Sequence, residues 1–370
     1  MYIRFPRKLS KMKVLLSFFS ILFVFTNAFA QDEELQAKKD SLIQNDSLYQ
    51  VAEAERHYNK GVTLMEQDKF SQAISEFDLA LNVLQDFSKA VFNRGMCFMS
   101  MKQYDKAIGD FKGTLKRDST YHEAHFQIGR AKLEKADPNA AYESFSMAIQ
   151  MEPKEAKYYY YRGMLYFQKT DYKSAIKDYD EAIRLKHNYA YAYNDRGSAK
   201  RKLDDLTGAI ADYTMAVKSD PGLSFAYNNL GSAKRQNKDY KGAISEYNQA
   251  IRLKDDYYIA YNNRGMAKYE LEDYEGAVSD FSKAIKIKPD YAYALNNRAS
   301  ALIRLEKYKE AVEDCNLAIG KNSDYAYAYY NRGIAKEMLR ELDDACADWQ
   351  KAEILGVEVA AEYRRVTCVK

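Results

Sequence analysis

The stretch YIAYNNRGMAKYELEDYEGAVSDFSKAIKIKPDY, from Tyr258 to Tyr291, carries a 34-residue pattern that recurs on both sides of it. Glycines set its phase. Gly61, Gly95, Gly129, Gly163, Gly197, Gly231, Gly265 and Gly333 are separated by 34 residues or a multiple of 34, and Ala299 fills the one remaining place. Nine repeats follow, at 54–87, 88–121, 122–155, 156–189, 190–223, 224–257, 258–291, 292–325 and 326–359. A period of this size stacks one supersecondary element on copies of itself, so the chain reads as a solenoid rather than as two or three compact domains.

Numbered within a repeat, position 20 is alanine all nine times, from Ala73 to Ala345. Position 24 is aromatic eight times, as Phe77, Phe111, Phe145, Tyr179, Tyr213, Tyr247, Phe281 and Trp349, with Cys315 as the departure. Position 27 is alanine except at Thr114. This pattern resembles the tetratricopeptide repeat (TPR) family, whose signature sets an aromatic and a glycine in a first helix, then alanine, an aromatic, alanine and a closing proline. Two departures stand out: position 7, usually leucine in the family, is mostly arginine, and the proline survives only as Pro153, Pro221 and Pro289. The resemblance implies an all-α, right-handed superhelical solenoid of nine helix-turn-helix units, with a concave groove for binding. Helix A spans about positions 1 to 14. Asp137, Asp171, Asp205, Asp239 and Asp273 lie where a residue capping helix B is expected. After Gly356, residues 357–369 read as a covering helix, and residues 360–370 lie beyond the last repeat.

The chain has 56 basic and 53 acidic residues. Five of the basic ones, Arg4, Arg7, Lys8, Lys11 and Lys13, precede an apolar run from Val14 to Phe25 that ends in Ala28-Phe29-Ala30. That order is expected of a secretory signal peptide over residues 1–30, with cleavage after Ala30 and export to a periplasm or beyond the cell. The alternative is an uncleaved anchor, for which the run is short, since a span takes about 20 apolar residues. The rest of the chain holds 51 basic against 53 acidic residues, which points to no nucleic-acid or anionic-membrane surface. Residues 31–53 lack the repeat pattern and read as a polar, flexible lead with a helix starting at about Ser47.

At 100° per residue, positions 3, 4, 7, 8, 11 and 14 of helix A share a face that packs on helix B, with the glycine at position 8 meeting the alanine at position 20. Arginine at position 7 accompanies aspartate at position 23 in six repeats: Arg94 with Asp110, Arg162 with Asp178, Arg196 with Asp212, Arg264 with Asp280, Arg298 with Asp314 and Arg332 with Asp348. An arginine turned toward helix B needs an acceptor there, so these read as structural salt bridges rather than ligand sites.

The opposite face carries positions 2, 5, 6, 9, 12 and 13. Asn229, Asn263, Asn297 and Asn331 run unbroken at position 6, and Asn228, Asn262 and Asn296 accompany them at position 5. Position 2 adds Tyr191, Phe225, Tyr293 and Tyr327. This is similar to the asparagine ladder with which some TPR proteins hold an extended peptide, because an amide offers both a donor and an acceptor to a backbone. The bland alternative is that the amides are solvated and the rings pack between repeats.

Of four cysteines, Cys346 and Cys368 are the best pair for a disulfide, pinning the covering helix; three complete pairings are open. His122 and His125 lie one turn apart, but no third metal ligand is evident and no nucleophile motif is present, so no metal, cofactor or catalytic residue is expected. The function implied is a non-enzymatic scaffold for an extended or terminal segment of a partner protein. Carbohydrate or cell-wall binding through the groove aromatics, and a structural spacer working through its ends or convex side, are the alternatives. Export has a direct check: N-terminal sequencing and intact mass of the native protein should begin at Gln31, and a mature chain retaining Val14 to Phe25 rules out cleavage.

Overall fold

A computed structural model describes the backbone of residues 9–368 and the side chains of residues 33–368. Among these residues every regular element is an α-helix, nineteen in all, α1 to α19 in chain order. A first part, up to Pro153, holds α1 (Leu9–Glu66) through α6 (Pro138–Met151), the helices of repeats one to three. A second, from Lys154, holds α7 (Ala156–Gln168) through α19 (Glu358–Thr367), the helices of repeats four to nine and the closing helix. Within each part the two helices of a repeat pack on each other, and helix B packs on helix A of the next repeat.

The expected signal segment, residues 1–30, lies outside the residues whose side chains are described. Residues 31–46, expected as a flexible lead, are instead part of α1, which runs unbroken into the first repeat. Strong helix formers explain this, together with i,i+4 pairs such as Lys38 with Glu34 and Gln36 with Asp40.

The seventh repeat shows how each unit turns. Helix α13 (Tyr258–Glu270) occupies positions 1 to 13 and α14 (Tyr274–Ile287) positions 17 to 30. Between them the Glu272 N–H donates to the Tyr269 carbonyl at 2.9 Å and the Asp273 N–H to the Lys268 carbonyl at 3.0 Å, a Schellman stop. Glu272 has φ 62°, and position 15 is left-handed in all nine repeats without ever being glycine. Since this conformation costs an L residue about 1–2 kcal/mol, it is the packing of the two helices that holds the turn. Asp273 then caps α14, its Oδ1 accepting from the Gly276 N–H at 3.0 Å; Asp137, Asp171, Asp205 and Asp239 do the same for their helices.

The two helices are set by a contact between positions 8 and 24. A Cβ placed on any of the eight glycines at position 8 would come within 3.1 Å of the aromatic ring sixteen residues later. The expectation that the alanine at position 20 makes this approach is corrected: those alanines are fully buried, but the ring occupies the space, and only at Gly197 is a position 20 carbonyl, that of Ala209, among the nearest atoms, at 3.2 Å. Repeat eight obeys the same constraint in reverse. Its position 8 is Ala299 and its position 24 is Cys315, both wholly buried, so the added methyl coincides with the one missing ring.

Charge is threaded through the same interface. In the six repeats with arginine at position 7, Nε and Nη2 donate to the two oxygens of the buried position 23 aspartate at 2.5 to 2.9 Å. Nη1 of Arg94, Arg196, Arg264, Arg298 and Arg332 also reaches position 25 of the preceding repeat, as from Arg94 to Asp78 and from Arg196 to Asp180, both at 2.6 Å. Lys200, Lys268 and Lys336, at position 11, add a second cation to Asp212, Asp280 and Asp348. Each of these five guanidinia thus clamps three helices, with its desolvation offset by charge-assisted bonds.

At the end of the chain Cys346, in α18 (Leu342–Ile354), is bonded to Cys368, their Cα atoms 5.8 Å apart. The Tyr363 ring of α19 packs tilted against Trp349 at 5.3 Å, and Ala360 is buried beside it, so the closing helix covers the last apolar face. Cys97 and Cys315 are buried thiols, and burial pushes that of Cys97 up to about 11.

The interlock predicts an unusual sign. Gly265→Ala should destabilise the protein by about 1–3 kcal/mol through its clash with Phe281, although alanine is the better helix former by about 1 kcal/mol. Adding Phe281→Cys, which reproduces repeat eight, should recover part of that loss. Urea unfolding of the two single variants and the double variant reads the coupling, and strictly additive effects would refute the interlock.

Candidate functional site

The amides of the A helices form a network between repeats. Asn229 Nδ2 donates to Asn194 Oδ1, Asn263 to Asn228, Asn297 to Asn262 and Asn331 to Asn296, all at 2.9 to 3.0 Å. Each bond joins position 6 of one repeat to position 5 of the repeat before it. The two columns are not equivalent. Asn194, Asn228, Asn262 and Asn296 are buried, with 5 to 7% of their surface exposed, whereas Asn229, Asn263, Asn297 and Asn331 are half-buried.

This changes the place of Asn228, Asn262 and Asn296, which were expected on the open face. A partner cannot reach them without parting the helices, because the next A helix covers position 5. Their carbonyls anchor the position 6 amides instead. A signal for this lay in the other repeats, where position 5 is Tyr58, Phe92, Phe126, Tyr160 or Tyr330, residues that fill interiors. Phe92 and Phe126 are indeed buried, packed on the position 24 rings Phe111 and Phe145. A second signal is that asparagine at position 5 is followed 35 residues later, without exception, by asparagine at position 6.

An amide has two N–H donors and a carbonyl. With one donor fixed to the preceding repeat, each position 6 side chain is held in one orientation, and its second N–H and its carbonyl are left beside solvent. In repeat seven the carbonyl also receives a long contact, from Asn262 Nδ2 at 3.5 Å.

Beside the amides lie the position 2 residues. Tyr191, Tyr293 and Tyr327 are 46, 58 and 57% exposed, while Phe225 is half-buried, 5.7 Å from the Tyr191 ring. Tyr293 joins a row of rings, 5.6 Å from Tyr291 and 5.2 Å from Tyr325, and Tyr291 continues it to Tyr258 at 5.0 Å. Tyr191 also borders an open cavity of about 530 Å³ with Tyr161, Tyr189, Lys186 and Asp220. No cluster of three or more histidine, cysteine, aspartate or glutamate side chains able to hold a metal occurs among the described residues. Nor is any helix there long and apolar enough to cross a membrane.

The network has an energetic consequence. Asn297→Ala removes the donor to the buried Asn262 carbonyl and should lower the unfolding free energy by about 1–3 kcal/mol, far more than an exposed asparagine costs. Denaturant unfolding checks it, and a loss within about 0.5 kcal/mol would mean that the inter-repeat bond contributes nothing.

Models described as tetratricopeptide repeat match residues 226–257, 258–291 and 292–325, and one described as TPR repeat matches residues 163–204. No curated protein matches the sequence. Among solved structures, a tetratricopeptide repeat protein from Parabacteroides merdae is 20% identical with a TM-score of 0.53, over 67% of this chain and 99% of that one. The pilF protein of Pseudomonas aeruginosa is 17% identical with a TM-score of 0.51, over 57% of this chain and 96% of its own. At such identities the likeness speaks for the fold, and with the family matches it shows that the chain carries tetratricopeptide repeats, its helix pairs packed as in a tetratricopeptide solenoid.

Proposed function

We propose that this protein is an exported, non-enzymatic scaffold that holds an extended segment of a partner protein along the A helices of repeats six to nine. One observation carries the reading: Asn229, Asn263, Asn297 and Asn331 form an unbroken row of half-buried amides, each oriented by a hydrogen bond from its own Nδ2 to the repeat before it. Fixed amides at a constant spacing suit a ligand that itself repeats, as an extended backbone does, and fixing them beforehand spares the entropy of ordering them on binding. Tyr293 and Tyr327 supply apolar contact at the edge of the row. Proteins with these repeats are commonly protein-interaction scaffolds, and the basic start, apolar run and Ala-Phe-Ala ending of residues 1–30 support export.

Each backbone bond adds only about 0.5–1.5 kcal/mol, so affinity comes from several amides together. The amides also serve stability, so the test falls on the exposed rings. Tyr293→Ala with Tyr327→Ala should leave the unfolding midpoint little changed while weakening capture of extended peptides, on a randomised array and from the native envelope, about tenfold, or 1.4 kcal/mol. Undiminished capture moves the site to the convex side or the ends. The exposed tyrosines suit sugar rings equally well, so a saccharide array belongs beside the peptide array; binding there, with none to peptides, selects the carbohydrate reading.

A further inference from the structure

We propose that Asp195 and the pocket beside it form a binding site for a lysine or arginine side chain, an inference that rests on the reading of the A-helix face as the seat of a partner segment. Asp195 stands at position 6 of repeat five, in the column that carries asparagine from repeat six to repeat nine. Its carboxylate accepts from the Tyr160 hydroxyl at 3.0 Å and from Asn194 Nδ2 at 2.9 Å. Both partners are neutral, and no ion pair to Asp195 is found among the described residues. Burial raises its pKa above the ordinary range, against the smaller opposing effect of those two bonds.

Packing does not call for this charge. Repeat two meets the same situation, a tyrosine at position 5 of the preceding repeat, and meets it with a neutral amide: Asn93 Nδ2 donates to the Tyr58 hydroxyl at 3.0 Å. An asparagine at 195 would serve Tyr160 equally, accepting through its carbonyl. Asp195 also differs from the buried aspartates at position 23, all six of which are matched by an arginine of their own repeat. A part-buried carboxylate without a cation is costly, and such groups gather where a ligand supplies what is missing.

The pocket gives that ligand a shape. Met164 and Phe167 from α7, Tyr179 from α8 (Tyr172–Leu185), and Asp195 and Ser198 from α9 (Ala190–Lys202) enclose about 180 Å³. In repeats five and six, position 9 is a serine, Ser198 or Ser232, bonded to the position 24 hydroxyl of Tyr213 or Tyr247. Repeat four has Met164 there, which offers Tyr179 no hydroxyl, and the pocket lies between the two. Its volume falls below the roughly 300 Å³ at which small-molecule sites begin, so it is sized for one side chain. Apolar walls with a single carboxylate match a long methylene stem that ends in a cation. Met164 is 38% exposed, and the A-helix lining residues stand at positions 6, 9 and 12, on the same face as the amide row.

The test uses the full chain and Asp195→Asn, which copies the arrangement of Asn93. On a randomised peptide array the parent should enrich lysine or arginine about tenfold, and Asp195→Asn should still capture peptides but without that preference. No basic preference in the parent, or the same preference in the variant, overturns the proposal. An array that captures nothing with either protein refutes the peptide reading, and the pocket is then decided alone by carbon-13 NMR of the aspartate carboxyls. Titration with Nα-acetyl-lysine methylamide should shift the Asp195 signal saturably, and the uncharged Nα-acetyl-norleucine methylamide should not. Equal shifts with both probes, or none with the lysine probe, overturn the pocket as well.

Discussion

The contact between the position 8 glycine and the position 24 ring is what the remaining structure depends on. It brings the A and B helices of a repeat so close that a single methyl on the glycine would meet the ring, and because it recurs every 34 residues it gives every repeat nearly the same internal geometry. Only repeats of common geometry can stack without accumulating mismatch. Repeat eight is informative because it departs at both ends of the contact together: Ala299 takes up space that Cys315 gives back. The cost of this closeness is that helix A carries its least favourable residue, glycine, in its middle, and the buried rings, from Phe77 to Trp349, outweigh it.

Once the helices are this close, polar groups between them must be satisfied internally. The position 7 arginine does so in three directions, meeting its own aspartate through two bonds and the preceding repeat through a third. Hydrogen bonding to Asp314 accordingly raises the Arg298 pKa, more than burial lowers it. Such a clamp adds little where the same volume could be filled by leucine, as at Leu230, but it penalises any slip of one repeat against the next, because a slipped arginine strands a buried charge. The clamps therefore serve register more than stability.

Much of this was legible in the sequence, for a physical reason: a feature repeated nine times averages away the accidents that make a single helix hard to read. The period, the helix pairs, the aspartate caps and the pairing of positions 7 and 23 all show as columns of like residues. Most of what escaped lies between repeats. A helical wheel drawn for one repeat puts Asn228 on the open face, but the neighbouring A helix covers that edge, and no wheel contains its neighbour. The third arm of the arginine clamp, from Nη1 to position 25 of the preceding repeat, escaped in the same way. The helical lead was missed for another reason: residues 31–46 have high intrinsic propensity without an apolar period, so pattern alone classed them as lead.

The link between positions 5 and 6 then explains where the A-helix face is free to vary. Because position 5 is covered, a polar side chain there must be answered 35 residues later, and the chain contains three such answers: tyrosine with asparagine at Tyr58 and Asn93, tyrosine with aspartate at Tyr160 and Asp195, and asparagine with asparagine from Asn194 onward. All three satisfy the buried partner. They differ in what position 6 leaves over, a neutral amide in the first and third and an acidic group in the second. Inter-repeat packing therefore constrains the hydrogen bond but not the charge, and position 6 is where a solenoid of nearly identical repeats can differ from place to place along its length without disturbing the stack.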